Sequence, residues 1–455
     1  MRQSLSFLVV FVVSAGVLAG CGSPTHASTV LRIPLNGRIQ IPDPFRVHSS
    51  RGIFLSSLVY SGLLKYGPDM HVIPELAVSI PTVTDGGRTY TFTIRQHIRF
   101  ADGTHCFAAT IAASLARALS RAQHSAYARR YLGEIEGARH VENGSTDRLS
   151  GVKAVGRWGL RIKLTRPDAS FLEKLAFPEA DVDSPGHGGT GPFEVVQGGS
   201  RTGLVLRARR YFYGGIEHLS EIELVPTVGA SAVSLYRRGK VDVAPVPVGQ
   251  FSLSHRSDFH MSAAPVAFYL FPRQPMPGLD YRLNYGSLVD ANVALTPLRG
   301  IVPPVVPDYV SNARAASKST GYPGGVTVHL AHSDAAGRFL AARVEAQLGA
   351  GDHQVVLREV TRLRPDPEVW LRLSRSNSQG RVARMLRRAD RLSLEPVDRM
   401  DLYADAERSV LQTGTIVPLA SLNLAYLIKP AVQGLNVTPF GLMPDDNNWT
   451  NVSLS

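Results

Sequence analysis

The residues best suited to covalent chemistry are His105 and Cys106, which follow an Asp-Gly-Thr turn at 102–104. A cysteine thiol becomes a nucleophile when a neighbouring base takes its proton. Residues adjacent in an extended turn seldom point their side chains at each other, so the pattern favours a small buried residue at Cys106. The pair still defines the one hydrolase hypothesis that the sequence offers.

A glycine cluster at 186–191 is the second candidate for chemistry. Gly186-His187-Gly188-Gly189 is similar to an esterase oxyanion loop, but the nucleophile motif Gly-x-Ser-x-Gly occurs nowhere in the chain. The cluster also lacks the Lys-Ser/Thr that completes a phosphate-binding loop, so it predicts a turn. The fourteen histidines include no His-Glu-x-x-His, and no Cys-x-x-Cys is present. We therefore expect no metal, no cofactor and no enzymatic activity.

The composition is that of a globular protein with several cores. Of its 455 residues, 44% are hydrophobic and 19% are charged, which is enough to form two or three buried cores. The net charge of +12 favours encounters with anionic surfaces. The arginine runs at 207–210 and 384–391 have no interleaved aromatic residues, so they predict solvated faces and no nucleic-acid partner. Two cysteines exclude a disulfide framework.

Helix and strand patterns are mixed along the chain, which predicts an α/β fold. Apolar alternation predicts strands, and apolar residues three or four apart predict helices. The clearest patterns are strands at 90–94 and 160–164, a helix at 108–119, and the succession strand 326–330, helix 335–348 and strand 354–360. That succession predicts a βαβ unit. The proline-rich region 265–323 has no clear periodicity, and we predict no element there.

The first twenty residues have the pattern of an export signal. The stretch from Leu5 to Leu18 is almost free of polar residues, but it is shorter than the ~20 residues that span a bilayer. The following Leu18-Ala19-Gly20-Cys21 resembles the lipobox of bacterial lipoproteins, which implies cleavage before Cys21 and a lipid on its thiol. The protein body would then lie outside the cytoplasmic membrane, tethered to it. The alternative is a soluble secreted protein whose cleavage site includes a cysteine.

Separated blocks of the sequence resemble the family-5 extracellular solute-binding proteins, which are the peptide- and nickel-binding receptors of ABC importers. The first block comprises Asp43-Pro44, Tyr60-Ser61-Gly62-Leu63, Pro74-Glu75-Leu76-Ala77 and Phe100-Ala101-Asp102-Gly103-Thr104. The second comprises Gly189-Thr190-Gly191-Pro192-Phe193, Tyr213-Gly214-Gly215 and Gly239-Lys240-Val241-Asp242-Val243-Ala244. A weaker third block includes Asp366-Pro367, Leu402-Tyr403 and Pro439-Phe440-Gly441.

The resemblance implies an α/β fold like that of the type II periplasmic binding proteins, with two lobes and an inserted third domain. The expected limits are a signal peptide at 1–20, domain I at 21–60, 181–263 and 430–455, domain II at 61–180, and domain III at 264–429. The family usually carries a helix rich in Val-Arg-Gln-Ala between 264 and 304, and this chain has no such pattern there. We therefore expect a shortened third lobe.

In peptide-binding members of the family, an extended ligand pairs with the backbone of two segments. One corresponds here to 361–364, and the other to the four residues His48, Ser49, Ser50 and Arg51. The resemblance thus implies main-chain recognition that tolerates different side chains.

One position departs from the family. The aspartate that pairs with the α-ammonium of a peptide in those receptors is replaced here by Leu363, between Arg362 and Arg364. A cation removed from water needs a counter-charge, which leucine does not offer. Either the ligand is not a free-amine peptide, or Asp366 or Glu368 takes over the role. The two arginines would suit an anionic group, because guanidinium binds carboxylate in bidentate fashion.

The sequence therefore predicts a lipid-anchored, monomeric receptor that binds an oligopeptide or a related solute and delivers it to the permease subunits of an ABC transporter. It would act on the outer side of the bacterial cell membrane. The alternatives are a receptor for a metal chelate or a sugar, and a degenerate sensory or scaffolding lipoprotein without transport. A hydrolase is the function that the residues favour least.

Overall fold

The computed structural model describes residues 29–37, 41, 43–47, 49–199, 202–215, 218–227, 229–289, 294–309, 311, 324–332, 334–373, 380–391, 396–445 and 448–455. The predicted export signal, Cys21 and His48 lie outside the described residues.

The helices of the described chain are mostly short. The α-helices are α1 (Ser50–Val59), α2 (Ala108–Leu119), α3 (Ala126–Leu132), α4 (Ala138–Glu142), α5 (Phe171–Leu175), α6 (Ala232–Arg237), α7 (Tyr285–Val289), α8 (Ala335–Leu348), α9 (Pro367–Leu371), α10 (Arg381–Ala389) and α11 (Pro396–Gln412). Short 3-10 helices lie at Pro44–Arg46, Asp85–Gly87, Pro178–Ala180, Val248–His255, Leu279–Arg282 and Trp449–Asn451. Within these ranges no helix has the length and apolar character that a membrane span requires.

The strands of the same ranges form several separate sheets. They are β1 (Val30–Leu35), β2 (Leu64–Tyr66), β3 (Val72–Pro74), β4 (Thr82–Thr84), β5 (Thr89–Thr93), β6 (Val152–Val155), β7 (Gly159–Lys163), β8 (Asp183–Ser184), β9 (Gly188–Gly189), β10 (Phe193–Gly199), β11 (Gly203–Ala208), β12 (Glu221–Pro226), β13 (Val243–Pro245), β14 (Phe259–Pro272), β15 (Leu295–Pro297), β16 (Val326–Leu330), β17 (His353–Thr361), β18 (Val417–Ile428), β19 (Val432–Gln433), β20 (Leu435–Thr438), β21 (Gly441–Pro444) and β22 (Ser453–Leu454).

Residues 61–182, which we call the N-terminal body, surround the antiparallel sheet β4-β5-β7-β6. In β5, Tyr90 and Phe92 are buried while the intervening threonine is exposed, which is the half-buried pattern that the alternation predicted. Helix α2 occupies the predicted residues and buries its apolar side in the same core. Phe45 and Phe440, from distant parts of the chain, complete this core.

The central sheet consists of β1, β12, β11 and β10, with β1 and β12 parallel. Helix α1 packs on it through Leu55 and Leu58. The buried Asp242 connects this sheet to the end of β18. Its carboxylate accepts hydrogen bonds from the backbone N–H of Arg32 and from Nζ of Lys429, both at 2.8 Å. The Gly-Lys-Val-Asp-Val-Ala motif therefore has a structural role here.

Residues 259–428, which we call the C-terminal body, surround the sheet β13-β18-β14-β17-β16, to which β15 adds beside β18. Strands β16 and β17 are parallel and α8 connects them, so the predicted βαβ unit is confirmed. The 14-residue strand β14 pairs with β17 on one side and β18 on the other. It extends into the region where we predicted no element. Phe268, Tyr269 and Leu270 are all fully buried, so this strand has no alternation to detect.

The α/β class predicted from the sequence is confirmed, and the structure bears on two of its details. The predicted limit between 263 and 264 falls inside the continuous strand β14, and β13 from the predicted domain I pairs with β18. Among the described residues between 264 and 304, the longest helix is the five-residue α7. The other domain limits and the shortening of the third lobe stay predictions.

Candidate functional site

A cleft of about 240 Å³ lies between the N-terminal and C-terminal bodies. From the N-terminal body, α3 contributes Tyr127, Arg130 and Tyr131 to its lining. From the C-terminal body come Val369 and the segment Thr361–Arg364. The predicted segment at 361–364 thus lines a cavity. We call this cavity the arginine cleft.

The segment at 361–364 is held extended by the strand that precedes it. Thr361 ends β17 opposite Val266, and the backbone N–H of Arg362 donates to the carbonyl of Pro265 at 2.9 Å. Asp366 then caps α9 by accepting from the backbone N–H of Glu368 at 2.8 Å. A strand end and a helix start therefore fix both sides of the cleft segment.

Arg364 is part of the cleft lining, but its guanidinium forms ion pairs inside the C-terminal body. Its side chain is only 7% exposed and lies 2.9 Å from Asp366 and 3.7 Å from Glu368. Burial acts to lower its pKa, but these two carboxylates raise it overall. The contact with Asp366 is an ion pair without hydrogen-bond geometry, since Asp366 Oδ2 has no hydrogen-bond partner in the described chain.

These pairs correct one alternative that the sequence left open. Asp366 and Glu368 are both buried and both face Arg364, and Glu368 also pairs with Arg372. Neither acid belongs to the lining of the arginine cleft. Their charges are already matched within the C-terminal body, so neither is placed to replace the missing aspartate.

Leu363 makes an apolar contact at the position that corresponds to the aspartate of the peptide receptors. It is half-buried and packs against the core of the N-terminal body. The position therefore contributes apolar contact between the two bodies, and it supplies no carboxylate to the cleft.

The second predicted segment lines a different cavity. Ser50 and Arg51 border a mainly apolar cavity of about 210 Å³, together with residues of β1, β18 and β21. Ser49 is extended and caps α1 by accepting from the backbone N–H of Gly52 at 3.1 Å, whereas Ser50 and Arg51 already belong to the helix. Strand-like pairing at Ser50 and Arg51 is therefore a wrong expectation, because their backbone is helical.

A series of aromatic rings connects the two cavities. Tyr131 lines the arginine cleft, and its ring centroid lies 5.1 Å from that of Phe177. Phe177 contacts Tyr66 at 5.4 Å, and Tyr66 contacts Phe440 at 5.5 Å. Phe440 lines the cavity beside Ser50. Edge-on and tilted contacts are favourable for aromatic rings, so packed rings fill the space between the two cavities.

Sequence reasoning missed the contribution of α3 to the cleft. Tyr127, Arg130 and Tyr131 are three and four residues apart, which places them on one face of a helix. Ser125 caps this helix by accepting from the backbone N–H of Ala128 at 3.0 Å. The spacing was a usable signal, but seven residues are too few for a clear periodic pattern.

The glycine motif at 189–193 serves close packing. A Cβ at Gly189 would lie 1.9 Å from the carbonyl oxygen of Val59, at the end of α1. The backbone N–H of Gly191 donates to the same oxygen at 2.8 Å. Arg209 donates to the carbonyls of both glycines. The motif thus allows close packing against the end of α1, the helix that contains Ser50 and Arg51.

The hydrolase hypothesis finds no support at Cys106. The side chain is fully buried, and burial raises the pKa of its thiol to about 12. The ring of His105 stacks on Phe107 at 5.7 Å. A nucleophilic cysteine requires a lowered pKa, so this thiol is protonated and unreactive at neutral pH. Among the described residues, no three His, Cys, Asp or Glu side chains cluster as metal ligands would.

Comparison with known proteins gives the same fold and a family that one segment of the chain matches. Residues 71–271 match the model of the bacterial extracellular solute-binding proteins, family 5. The glutathione-binding protein GsiB of Escherichia coli strain K12 is 24% identical over 363 residues, covering 71% of this chain and 67% of the relative. GsiB of Salmonella paratyphi A is 25% identical over 345 residues, covering 68% and 64%.

Two solved structures of binding proteins share the architecture. The periplasmic murein tripeptide binding protein MppA, in an unliganded open form, superposes with a TM-score of 0.76 at 17% identity and covers 94% of this chain and 96% of its own. The periplasmic binding protein DppA from Helicobacter pylori, in complex with a peptide, gives 0.70 at 15% identity, covering 94% and 98%. The fold is thus that of the type II periplasmic binding proteins, and the relatives are receptors. The chain is therefore similar to the bacterial extracellular solute-binding proteins of family 5, whose model matches residues 71–271.

Proposed function

We propose that this protein is a lipid-anchored receptor that captures a peptide or a related solute outside the cytoplasmic membrane and delivers it to an ABC transporter permease. The observation that carries the proposal is the arginine cleft. It opens between two bodies, and its walls include the extended segment that follows β17. A ligand bound between two bodies can favour a closed arrangement over an open one.

The size and lining of the cleft suit a small solute or one end of a longer one. Its volume of about 240 Å³ is below the ~300–1,000 Å³ of pockets for drug-sized ligands. The curated relatives are named for glutathione, a tripeptide-sized solute, and the solved neighbours include peptide receptors. This size supports a short peptide or an organic solute of comparable size as the ligand.

A non-peptide solute is the second candidate, and Leu363 is the observation that favours it. Because Leu363 packs against the N-terminal body, the expected partner of a peptide α-ammonium is absent from this position. A chelate or another anionic solute needs no such partner. A sensory lipoprotein without transport would use the same cleft, and neighbouring genes for two permeases and two ATPases would favour transport over that role.

Native mass spectrometry of the purified protein tests the proposal. We expect one solute of small mass to co-purify at a ratio of one per chain and to leave when the protein is unfolded. Substitution of Tyr131 by alanine, in the wall of the arginine cleft, should reduce the occupancy. Alanine at Tyr281, which is 46% exposed and outside that cleft, should not. A solute retained equally by both variants would contradict the proposed site.

A further inference from the structure

The arginine cleft brings two positive side chains together from the two bodies. Arg130 lies on α3 of the N-terminal body, and Arg362 follows β17 in the C-terminal body. The lining contains no Asp or Glu. In the described part of the chain, neither arginine forms an ion pair. The hydrogen bonds of the Arg362 guanidinium go to the main-chain carbonyls of Val369 and Thr361, at 3.4 and 3.1 Å.

The two arginines place like charges near each other in one cleft. The pKa of Arg362 is lowered, first by burial and then by the nearby charge of Arg130. The first effect reflects the partial loss of water around the guanidinium, and the second reflects repulsion between two like charges. Arg364 differs, because Asp366 and Glu368 balance it. The sequence drew attention to Arg362 and Arg364, whereas the structure leaves Arg130 and Arg362 as the uncompensated pair.

We propose that Arg130 and Arg362 together bind an oxyanion of the ligand, a carboxylate or a phosphate, across the arginine cleft. The proposal rests on the receptor function proposed above and specifies the chemical class of its ligand. Guanidinium groups offer paired N–H donors that match the oxygen spacing of both anions. Tyr131 on the same wall of the cleft can add a phenolic donor, and Leu363 and Val369 offer apolar contact to the rest of the solute.

Because Arg130 and Arg362 lie on different bodies, the charge of the ligand should affect how closely the two bodies approach each other. Two like charges on opposite walls oppose closure, and an oxyanion between them turns this repulsion into two attractions. An anionic solute would therefore favour the closed arrangement, whereas a neutral solute of the same shape would leave the repulsion in place.

Calorimetric titration with matched solutes tests the proposal. The probes are N-acetyl-alanyl-alanine, its C-terminal amide, and inorganic phosphate. We expect the acid to bind at least tenfold more tightly than the amide. Arg130→Ala should weaken binding of the acid about tenfold or more and binding of the amide less than twofold. Loss of the Arg130 charge and loss of the ligand carboxylate are then energetically coupled. If phosphate competes with the acid, the site is assigned to phosphate. If phosphate does not compete with the acid, the site is assigned to carboxylate.

Arg129→Ala is the matched control, because it removes the same charge from the same helix outside the cleft. It should leave the affinity for the acid unchanged. Arg362→Lys keeps a charge but loses the paired donors, and it should weaken binding of the acid with little change in melting temperature. Three results would each overturn the oxyanion site. The acid and the amide could bind equally, Arg129→Ala and Arg130→Ala could have equal effects, or neither anion could bind. A neutral solute found by native mass spectrometry would do the same, yet it would leave the receptor function standing.

Discussion

His71 and Asp308 are 237 residues apart in the chain, yet His71 Nε2 lies 2.9 Å from Asp308 Oδ2. His71 belongs to the N-terminal body and Asp308 to the C-terminal body, so the contact joins the two bodies. Tyr309, next to Asp308, donates its hydroxyl to the buried carboxylate of Glu407 at 2.7 Å. Glu407 also accepts from the backbone N–H groups of Ile301 and Val302, which fixes the loop that presents Asp308.

We expect this contact to weaken as pH rises. Asp308, and to a lesser degree Asp69, raise the pKa of His71. The contribution to stability is then complete below the ordinary histidine value of about 6.5 and is lost as pH rises through the raised native value. Its size is below about 1 kcal/mol, because the two side chains are 47% and 71% exposed. NMR titration of His71 should show a lower pKa in Asp308→Asn. An unchanged pKa would show that the contact is absent in solution.

A second pH effect arises from Glu179. This side chain is 1% exposed, its carboxyl oxygens have no hydrogen-bond partner among the described residues, and burial raises its pKa to about 8. The unfolded chain releases the same proton near pH 4.3. Native protein thus holds the proton that unfolded protein has lost, and the free energy of unfolding falls as pH rises from about 4.3 to about 8.

Glu179→Gln should remove this part of the pH dependence. We expect the variant to match wild type near pH 4 and to exceed its free energy of unfolding at pH 8 by about 2 kcal/mol or more. Denaturant titrations at both pH values measure the difference. Glu194→Gln, at a half-exposed position of β10, is the control and should follow wild type. Parallel pH dependence of all three proteins would contradict a neutral buried Glu179.

The replacement at Leu363 predicts a weak role for a free amine. A receptor that uses a buried ion pair loses about 3–5 kcal/mol, at least a hundredfold, when the amine is acetylated. Here the free and N-acetylated forms of one bound peptide should differ by less than about tenfold. Leu363→Asp should create a preference for the free amine, and the uncharged Leu363→Asn should not. A large preference for the free amine in wild type would reveal an acid elsewhere in the site.

Lipidation at Cys21 is tested in the native host. Cys21→Ser should release the protein from the membrane fraction and remove the acyl mass. Cys106→Ala is the control, since this buried cysteine lies within the folded core and should not affect anchoring. A Cys21→Ser protein that still sediments with membranes and still carries acyl mass would exclude the lipid anchor.

Sequence patterns predicted elements that have one buried face. Helix α2 and strands β5 and β7 follow the residues that the periodicity indicated, because each exposes its other face to water. The apolar pattern did not predict strand β14, because the centre of this strand is buried on both faces. A continuous apolar run without alternation fits a strand and a buried helix equally well.

The candidate site was predictable only in part, because spatial neighbours decide what a side chain can do. The resemblance indicated the segment at 361–364, and this segment does line a cleft. It could not indicate that Arg364 is neutralised by Asp366 and Glu368, or that Arg130 lies opposite Arg362. Arg130 is more than 200 positions away along the chain, so only the fold brings it to the site.

We expect the two bodies to close around one solute. Small-angle scattering of the purified protein, titrated with the solute that native mass spectrometry identifies, tests it most directly. We expect the radius of gyration to fall and to reach a constant value at one equivalent, with a higher melting temperature at saturation. Arg130→Ala should need more solute to reach the same value. A radius of gyration that stays constant while the solute binds would contradict closure of the two bodies around the ligand.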